Sequence, residues 1–124
     1  MIAIGLFDIL KTIPQVGDRV FPLVAPQGTD APYITFQRIS SLDTGTMDGT
    51  ESLDMGRFQI KVFAKTYEES VFIALSDDDN TKSVKTVMSG YGNKVMSMDD
   101  YEPDAKLFVQ QIDYILSDDV VGAV

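Results

Sequence analysis

The chain has 124 residues, of which 44% are hydrophobic and 23% are charged, a composition typical of a globular domain. Cysteine and histidine are both absent, which excludes thiolate nucleophiles, imidazole bases, Ser-His-Asp catalysis and zinc sites built from these ligands. The net charge of −9 opposes binding to a phosphate backbone, so sequence-specific nucleic-acid binding is not expected.

The length predicts a single domain spanning residues 1–124. Residues 1–10 are apolar, but no basic region precedes them and no small-residue cleavage site follows, so they predict a helix of the domain. No stretch approaches the roughly 18 uninterrupted apolar residues that a membrane-spanning helix requires. We therefore expect no membrane association, and the lack of cysteine fits a reducing cytoplasm.

The first part of the chain predicts one helix and two strands. Apolar residues recur at helical spacing between residues 2 and 13, and Pro14 should end this helix near Thr12. Residues 19–24 are mostly apolar but contain a proline, which suits an edge strand or an extended segment better than a central strand. Residues 33–39 are rich in β-branched and aromatic side chains and predict a second strand.

A long polar segment, residues 41–54, predicts a mobile loop, because its glycine, aspartate, serine and threonine cannot pack a core. After it, apolar residues alternate with Arg57, Gln59 and Lys61, the pattern of a strand with one buried and one wet face. The two strands that flank the loop should form an antiparallel hairpin with an unusually long connection.

Thr66 and Glu69 have the spacing of a capping box and predict the start of a second helix. Its predicted apolar stripe consists of Tyr67, Val71, Ala74 and Leu75. The stripe breaks at residues 77–79 and resumes on a different face at residues 84–88. We therefore expect a bent or broken helix, with Asp79 or Asn80 as the N-cap of its second part.

Residues 95–98 and 107–116 predict two further strands around an acidic turn, and residues 117–124 lack a period and predict a frayed tail. The order of elements predicts an α+β fold, an antiparallel β-sheet of about four strands with helices packed on one face. The opposite face of the sheet either meets solvent, which Arg57, Gln59 and Lys61 suit, or meets a neighbouring subunit.

Clusters of acidic residues do not predict a metal site. The side chains of Asp77, Asp78 and Asp79 should point in different directions, and the acids of residues 99–104 lack the alternating spacing and central glycine of a calcium loop. No glycine-rich phosphate loop or nucleophile elbow accompanies these acids. We therefore expect no enzyme activity, no catalytic residues, no cofactor and no metal.

Five short motifs follow one another along nearly the whole chain. They are Val16 to Pro22, Ala25 to Gly28, Pro32 to Ser40, Ala64 to Glu69, and Tyr101 to Pro103 leading into Leu107 to Gln110. In this order they resemble the tail-completion proteins of long-tailed phages, also called tail terminators and similar to those of the lambda type. One segment, residues 76–85, departs from the resemblance because it is longer and more acidic than the corresponding single helix.

The resemblance implies a structural virion protein at the neck end of a phage tail, or of a related particle, assembled in the cytoplasm of the bacterial host. Similar proteins form a hexameric ring that caps the tail tube, stops its polymerisation and supplies the tail side of the head–tail interface. The implied partners are other copies of the chain, the major tail tube protein and the head–tail connector proteins. DNA would pass through the lumen without specific binding.

The candidate contact residues come from the long loop and from the strand that follows it. They are Thr44, Met47, Asp48, Thr50, Leu53, Arg57, Gln59 and Lys61. A polar, glycine-containing loop can order on a neighbouring subunit or tube, although an idle surface loop has the same composition. Likewise, the acidic residues either repel DNA from the lumen or only keep the protein soluble.

Three other functions remain open at this point. A head-completion or connector adaptor occupies the same neck and has subunits of similar size. A small-ligand-binding α+β module would be favoured by a concave apolar pocket. An enzyme that uses paired carboxylates as acid and base is the third alternative, although no further catalytic signature supports it.

Overall fold

The computed structural model describes residues 2–42, 55–78, 80–117 and 121. Within these residues the chain forms three helices and five strands. In chain order they are α1 (Ile2–Leu10), β1 (Val20–Pro22), β2 (Tyr33–Leu42), β3 (Met55–Ala64), α2 (Tyr67–Leu75), α3 (Val84–Val87), β4 (Gly92–Glu102) and β5 (Leu107–Ser117). The predicted α+β class is confirmed.

The strands form one sheet in the order β1-β2-β3-β5-β4. Four strands pair antiparallel as predicted, but β1 adds a fifth and lies parallel to β2, with Val20 opposite Ile34. The prediction of about four antiparallel strands was therefore wrong in this detail. After Pro22 the chain turns away from the sheet at Leu23, whose φ is 66°. It then returns to the end of the sheet at which β1 began, so β2 runs in the same direction as β1.

All three helices pack on one face of the sheet and bury a shared apolar core. Alternate residues of the central strands supply the sheet side of this core, because successive side chains of a strand point to opposite faces. They are Ile34, Phe36, Phe58, Ile60, Val62, Ile112, Tyr114 and Leu116. The helix side includes Leu6, Leu10, Ile73, Val84 and Met88.

The antiparallel hairpin of β2 and β3 is longer than the sequence predicts. Its register extends to Leu42 opposite Met55, so the first two residues of the predicted loop 41–54 belong to β2. The remaining residues of that loop, 43–54, lie outside the described part of the chain. The sequence predicted a loop from residue 41 onwards because the segment is polar. Local composition does not show that residues 41 and 42 pair with β3, because such pairing depends on the partner strand.

The first helix ends at Leu10, slightly before the predicted end near Thr12. After it, the backbone N–H groups of Thr12 and Ile13 donate to the carbonyls of Ile9 and Leu10, at 3.3 and 3.1 Å. These bonds reach back three residues rather than four, so the chain tightens into turns before Pro14.

The predicted helix break is confirmed, since α2 and α3 are separate helices. Thr66 caps α2 as predicted, because its hydroxyl accepts from the Glu69 N–H at 3.1 Å. The N-cap of α3, however, is Ser83, and the prediction of Asp79 or Asn80 was wrong. Ser83 occupies the N-cap position because Thr86, three residues later, completes a capping box with it.

The predicted apolar stripe of α2 was wrong in part. The buried residues are Ser70, Ile73 and Ala74, whereas Tyr67 is exposed and Val71 is only half-buried. Ser70 is tolerated on the buried side of α2 because its hydroxyl donates to the Tyr67 carbonyl at 2.7 Å. This bond satisfies the buried hydroxyl without water.

The predicted frayed tail, residues 117–124, was wrong at two positions. Ser117 belongs to β5, and Val121 is fully buried and donates its N–H to the Ser117 carbonyl at 2.9 Å. Val121 lies so close to Gly5 that a Cβ at Gly5 would overlap its carbonyl. The other residues of the tail lie outside the described part of the chain.

Candidate functional site

The sheet face opposite the helices is the candidate site. Among the described residues no helix packs on it, so we call it the open face. Its members are the alternate residues of the four long strands that point away from the core. They are Tyr33, Thr35, Gln37, Arg57, Gln59, Lys61, Phe63, Met96, Met98, Asp100, Val109, Gln111, Asp113 and Ile115.

The structure brings the three strand residues predicted from the sequence together at the centre of this face. Arg57, Gln59 and Lys61 occupy alternate positions of β3, which is the middle strand of the sheet, and all three are half-buried. The five loop residues predicted with them lie outside the described residues, and they are Thr44, Met47, Asp48, Thr50 and Leu53.

Neighbouring strands extend these three positions into rows across the face. Lys61 lies between Thr35 of β2 and Gln111 of β5, and Gln59 lies between Gln37 and Asp113. Met98 and Met96 continue the two rows on β4. The centre of the open face is therefore built from amides, one hydroxyl and long side chains, which are able to adapt to a protein surface.

Arg57 and Asp113 form an ion pair on this face. The Arg57 Nε and Nη2 atoms both donate to Asp113 Oδ2, at 3.0 and 2.8 Å. Asp113 is only 1% exposed, and its other oxygen, Oδ1, has no hydrogen-bond partner in the described part of the chain. The sequence left open whether Arg57 faces solvent or a neighbouring subunit; in the structure its guanidinium is partly exposed and pairs with a buried carboxylate.

Sequence reasoning missed Asp113 as a member of the site. The signal was present, because Asp113 is the one carboxylate within the strand segment 107–116. A charged residue inside such a strand needs a partner if it is buried. Local sequence does not identify that partner, since the pairing with Arg57 depends on the register of β3 against β5.

An aromatic pair closes one end of the open face. The rings of Tyr33 and Phe63 stack with centroids 4.7 Å apart and planes 19° apart. Burial, and secondarily the negative charge of Glu102, raises the pKa of the Tyr33 hydroxyl. Val109 follows Phe63 in the same row and is buried, so this end of the face is apolar while its centre is polar.

Asp99, near the end of β4, has its partners on the helix side of the sheet. Asp99 accepts from the Tyr67 hydroxyl at 3.1 Å and from the side-chain amide of Gln110 at 2.7 Å. The bond to Asp99 is the main reason that the pKa of Tyr67 is raised. Asp77 lies 2.7 Å from the Lys85 ammonium. Within the described residues, no group of three acidic side chains is placed to hold a metal ion.

A shallow apolar pocket of about 330 Å³ lies between α1 and the β1–β2 edge of the sheet. Its lining includes Ile2, Leu23, Phe36 and Phe58, and its polar residues are Gln37 and Arg38. Ligand sites usually join an apolar lining to several converging polar groups, so this pocket gives limited support to a ligand-binding module. In the described part of the chain, no helix has the length and apolarity to cross a bilayer.

Comparison with known proteins gives one family match. The model of the family described as "Tail completion protein gp17" matches residues 5–90. The matched region runs from α1 to the turn after α3, and the hairpin of β4 and β5 lies beyond it. Among curated proteins, none matches this sequence significantly.

Proposed function

Because the chain belongs to the phage tail-completion family, we propose that it caps the tail tube, stops tube polymerisation and forms the tail side of the head–tail interface. Membership itself gives a structural role in the phage tail. The observation that carries the proposal is the match over residues 5–90, which covers more than half of the chain. Catalysis forms no part of the proposed role.

The open face is the proposed contact surface with other tail proteins. Its centre combines amides and methionines with the half-buried residues Arg57, Gln59 and Lys61. Methionine and arginine are enriched in protein interfaces, and amides can exchange hydrogen bonds with water for bonds with a partner. In the described part of the chain, helices pack on one face of the sheet and none packs on the other, so the subunit has two chemically different sides.

We further propose that the working form is a ring of identical subunits, hexameric as in similar proteins, that leaves a passage for DNA. The net charge of −9 per chain supports this arrangement, because acidic groups near the passage repel phosphate at short range. The major tail tube protein and the head–tail connector would bind on opposite sides of the ring.

Deletion of the gene from its parent particle tests the capping role. We expect overlong tubes without heads in negative-stain electron micrographs of the lysate, because nothing would stop tube growth. Headless tails of normal length would instead place the protein among the connector adaptors. Intact infectious particles would contradict any structural role.

A charge reversal on the open face tests the contact surface. In the deletion strain, complementation with Lys61→Glu should lower the yield of infectious particles at least tenfold, because a carboxylate would replace the ammonium at the centre of the contact. Lys82→Glu is the matched control, since Lys82 is exposed between α2 and α3 on the helix side. Equal yields from the two variants, with both proteins folded, would remove the open face from the proposal.

A further inference from the structure

Exposed apolar side chains are concentrated at the two edges of the sheet. Nine large apolar side chains are exposed in the described part of the chain, and six of them lie at these edges. Leu23, Val24 and Ile39 lie at the β1–β2 edge, and Val95, Met98 and Tyr101 lie on β4. Exposed apolar residues along a sheet edge mark a site of strand pairing with another chain.

The backbone of both edges is open to pairing. β4 is 11 residues long and has β5 as its only strand neighbour in the described sheet. At the other edge, β1 covers residues 34–36 of β2, while β2 continues to Leu42. An edge strand presents unpaired N–H and C=O groups at every second residue, so each edge offers a row of donors and acceptors.

The direction of the strands favours pairing between unlike edges. Following the antiparallel pairs across the sheet, β4 runs opposite to β2. If the sheet of one copy continues into the next around a rotation axis, β4 lies antiparallel to the β1–β2 edge. Antiparallel pairing is the commoner and slightly more stable arrangement.

Charge separates this arrangement from pairing of two β4 strands. β4 carries Asp99, Asp100 and Glu102 against one lysine, Lys94, so a two-fold contact between β4 strands brings like charges together. The β1–β2 edge, residues 20–24 and 37–42, contains an exposed arginine, Arg38, and no carboxylate. The β1–β2 edge therefore has the direction that antiparallel pairing with β4 requires, and it carries no carboxylate that would repel the acidic residues of β4.

We infer that β4 of one copy docks antiparallel on the β1–β2 edge of a second copy of this chain. Such a head-to-tail contact uses two different surfaces, and it closes into a ring when the rotation between copies permits. The inference rests on the proposed ring, for which it supplies the contact between neighbouring subunits. It leaves the open face free for other tail proteins.

Pairs of introduced cysteines test this contact in a chain that has no cysteine of its own. Ile39→Cys is combined with Val95→Cys or with Met98→Cys, and purified tails from complemented particles are treated with a bismaleimide that spans about three residues of strand. We expect a ladder of covalent multimers on a denaturing gel for at least one pair. Each single variant should remain monomeric on the same gel.

Ile4→Cys combined with Phe72→Cys is the matched control, because both residues are similarly exposed but lie on helices. It should give no ladder. Covalent dimers from Val95→Cys alone would show two-fold pairing of β4 and overturn the inference. So would the absence of any ladder from particles with normal tail length, an outcome that leaves the proposed function intact. Ladders from the purified protein, together with normal tails after gene deletion, would retain the contact and reject the capping role.

Discussion

Asp113 connects the stability of the sheet to the chemistry of the open face. Its carboxylate is almost completely buried, and both hydrogen bonds from Arg57 reach the same oxygen. Removing one partner of a buried ion pair leaves an uncompensated charge, whereas replacing both partners with apolar residues is often neutral or stabilising. The two residues should therefore behave as a unit.

Arg57→Ala should lower the free energy of unfolding by about 2 kcal/mol, a value reduced from that of a fully buried pair because Arg57 is partly exposed. The double variant Arg57→Met with Asp113→Leu should recover most of this loss. Urea denaturation of the purified proteins measures both values. A double variant as unstable as the sum of its single variants would show that the pair does not act as a unit.

Because the Tyr114 hydroxyl is buried, we expect the protein to lose stability at high pH. Burial raises the pKa of its hydroxyl from 10.0 to about 12, because the fold disfavours the charged phenolate. Below pH 10 the Tyr114 hydroxyl is neutral in both the folded and the unfolded protein, so its contribution to stability is fully present there. Between pH 10 and pH 12 it ionises more readily in the unfolded protein, and the contribution is lost. The shift corresponds to about 3 kcal/mol.

Urea denaturation at pH 9 and at pH 12 measures this effect. Tyr114→Phe keeps the ring but removes the ionisable group, so its stability should fall less than that of the wild type over this interval. The other tyrosines are the same in both proteins, so their contributions cancel in the comparison. Equal losses for the two proteins would refute the assignment to Tyr114.

At the scale of elements, Ser83 joins α2 to α3. Its hydroxyl accepts from the Thr86 N–H at 3.2 Å and donates to the Ser76 carbonyl, at the C-cap of α2, at 2.7 Å. A helix of only four residues depends on such bonds more than on its own hydrogen bonds.

Ser83→Ala should cost about 1–2 kcal/mol, because it removes a cap and leaves buried polar groups without a partner. The free energy of unfolding by urea measures this cost. Ser89→Ala is the control, since Ser89 is exposed after α3, and it should change stability by less than about 0.5 kcal/mol. A Ser83 variant as stable as the Ser89 variant would contradict the proposed link between the two helices.

Most helices and strands were predictable because the patterns that mark them, such as alternation and capping, lie within a few neighbouring residues. The alternation of residues 57–62 identified β3 and its outward face, and Thr66 identified the start of α2. The parallel pairing of β1 was not predictable, because it depends on where the chain returns after Leu23. The ion pair of Asp113 was missed for a similar reason, since strand register is set by contacts across the whole sheet.

At the scale of the whole molecule, the proposals assign different surfaces to different partners. In these proposals, the open face contacts other tail proteins and the two sheet edges contact neighbouring copies of the chain. The family match supports the tail role, but it ends at residue 90 and does not include β4. The proposed pairing through β4 must therefore be tested on this chain itself.

The length of tubes polymerised in vitro from the major tail tube protein of the same particle tests the capping role most directly. Purified protein added during polymerisation should arrest growth, so that the mean tube length in electron micrographs falls as its ratio to tube protein rises. Lys82→Glu should arrest growth equally well, and Lys61→Glu should arrest it less. Tubes of the same length with and without the wild-type protein would contradict the proposal that it caps the tube.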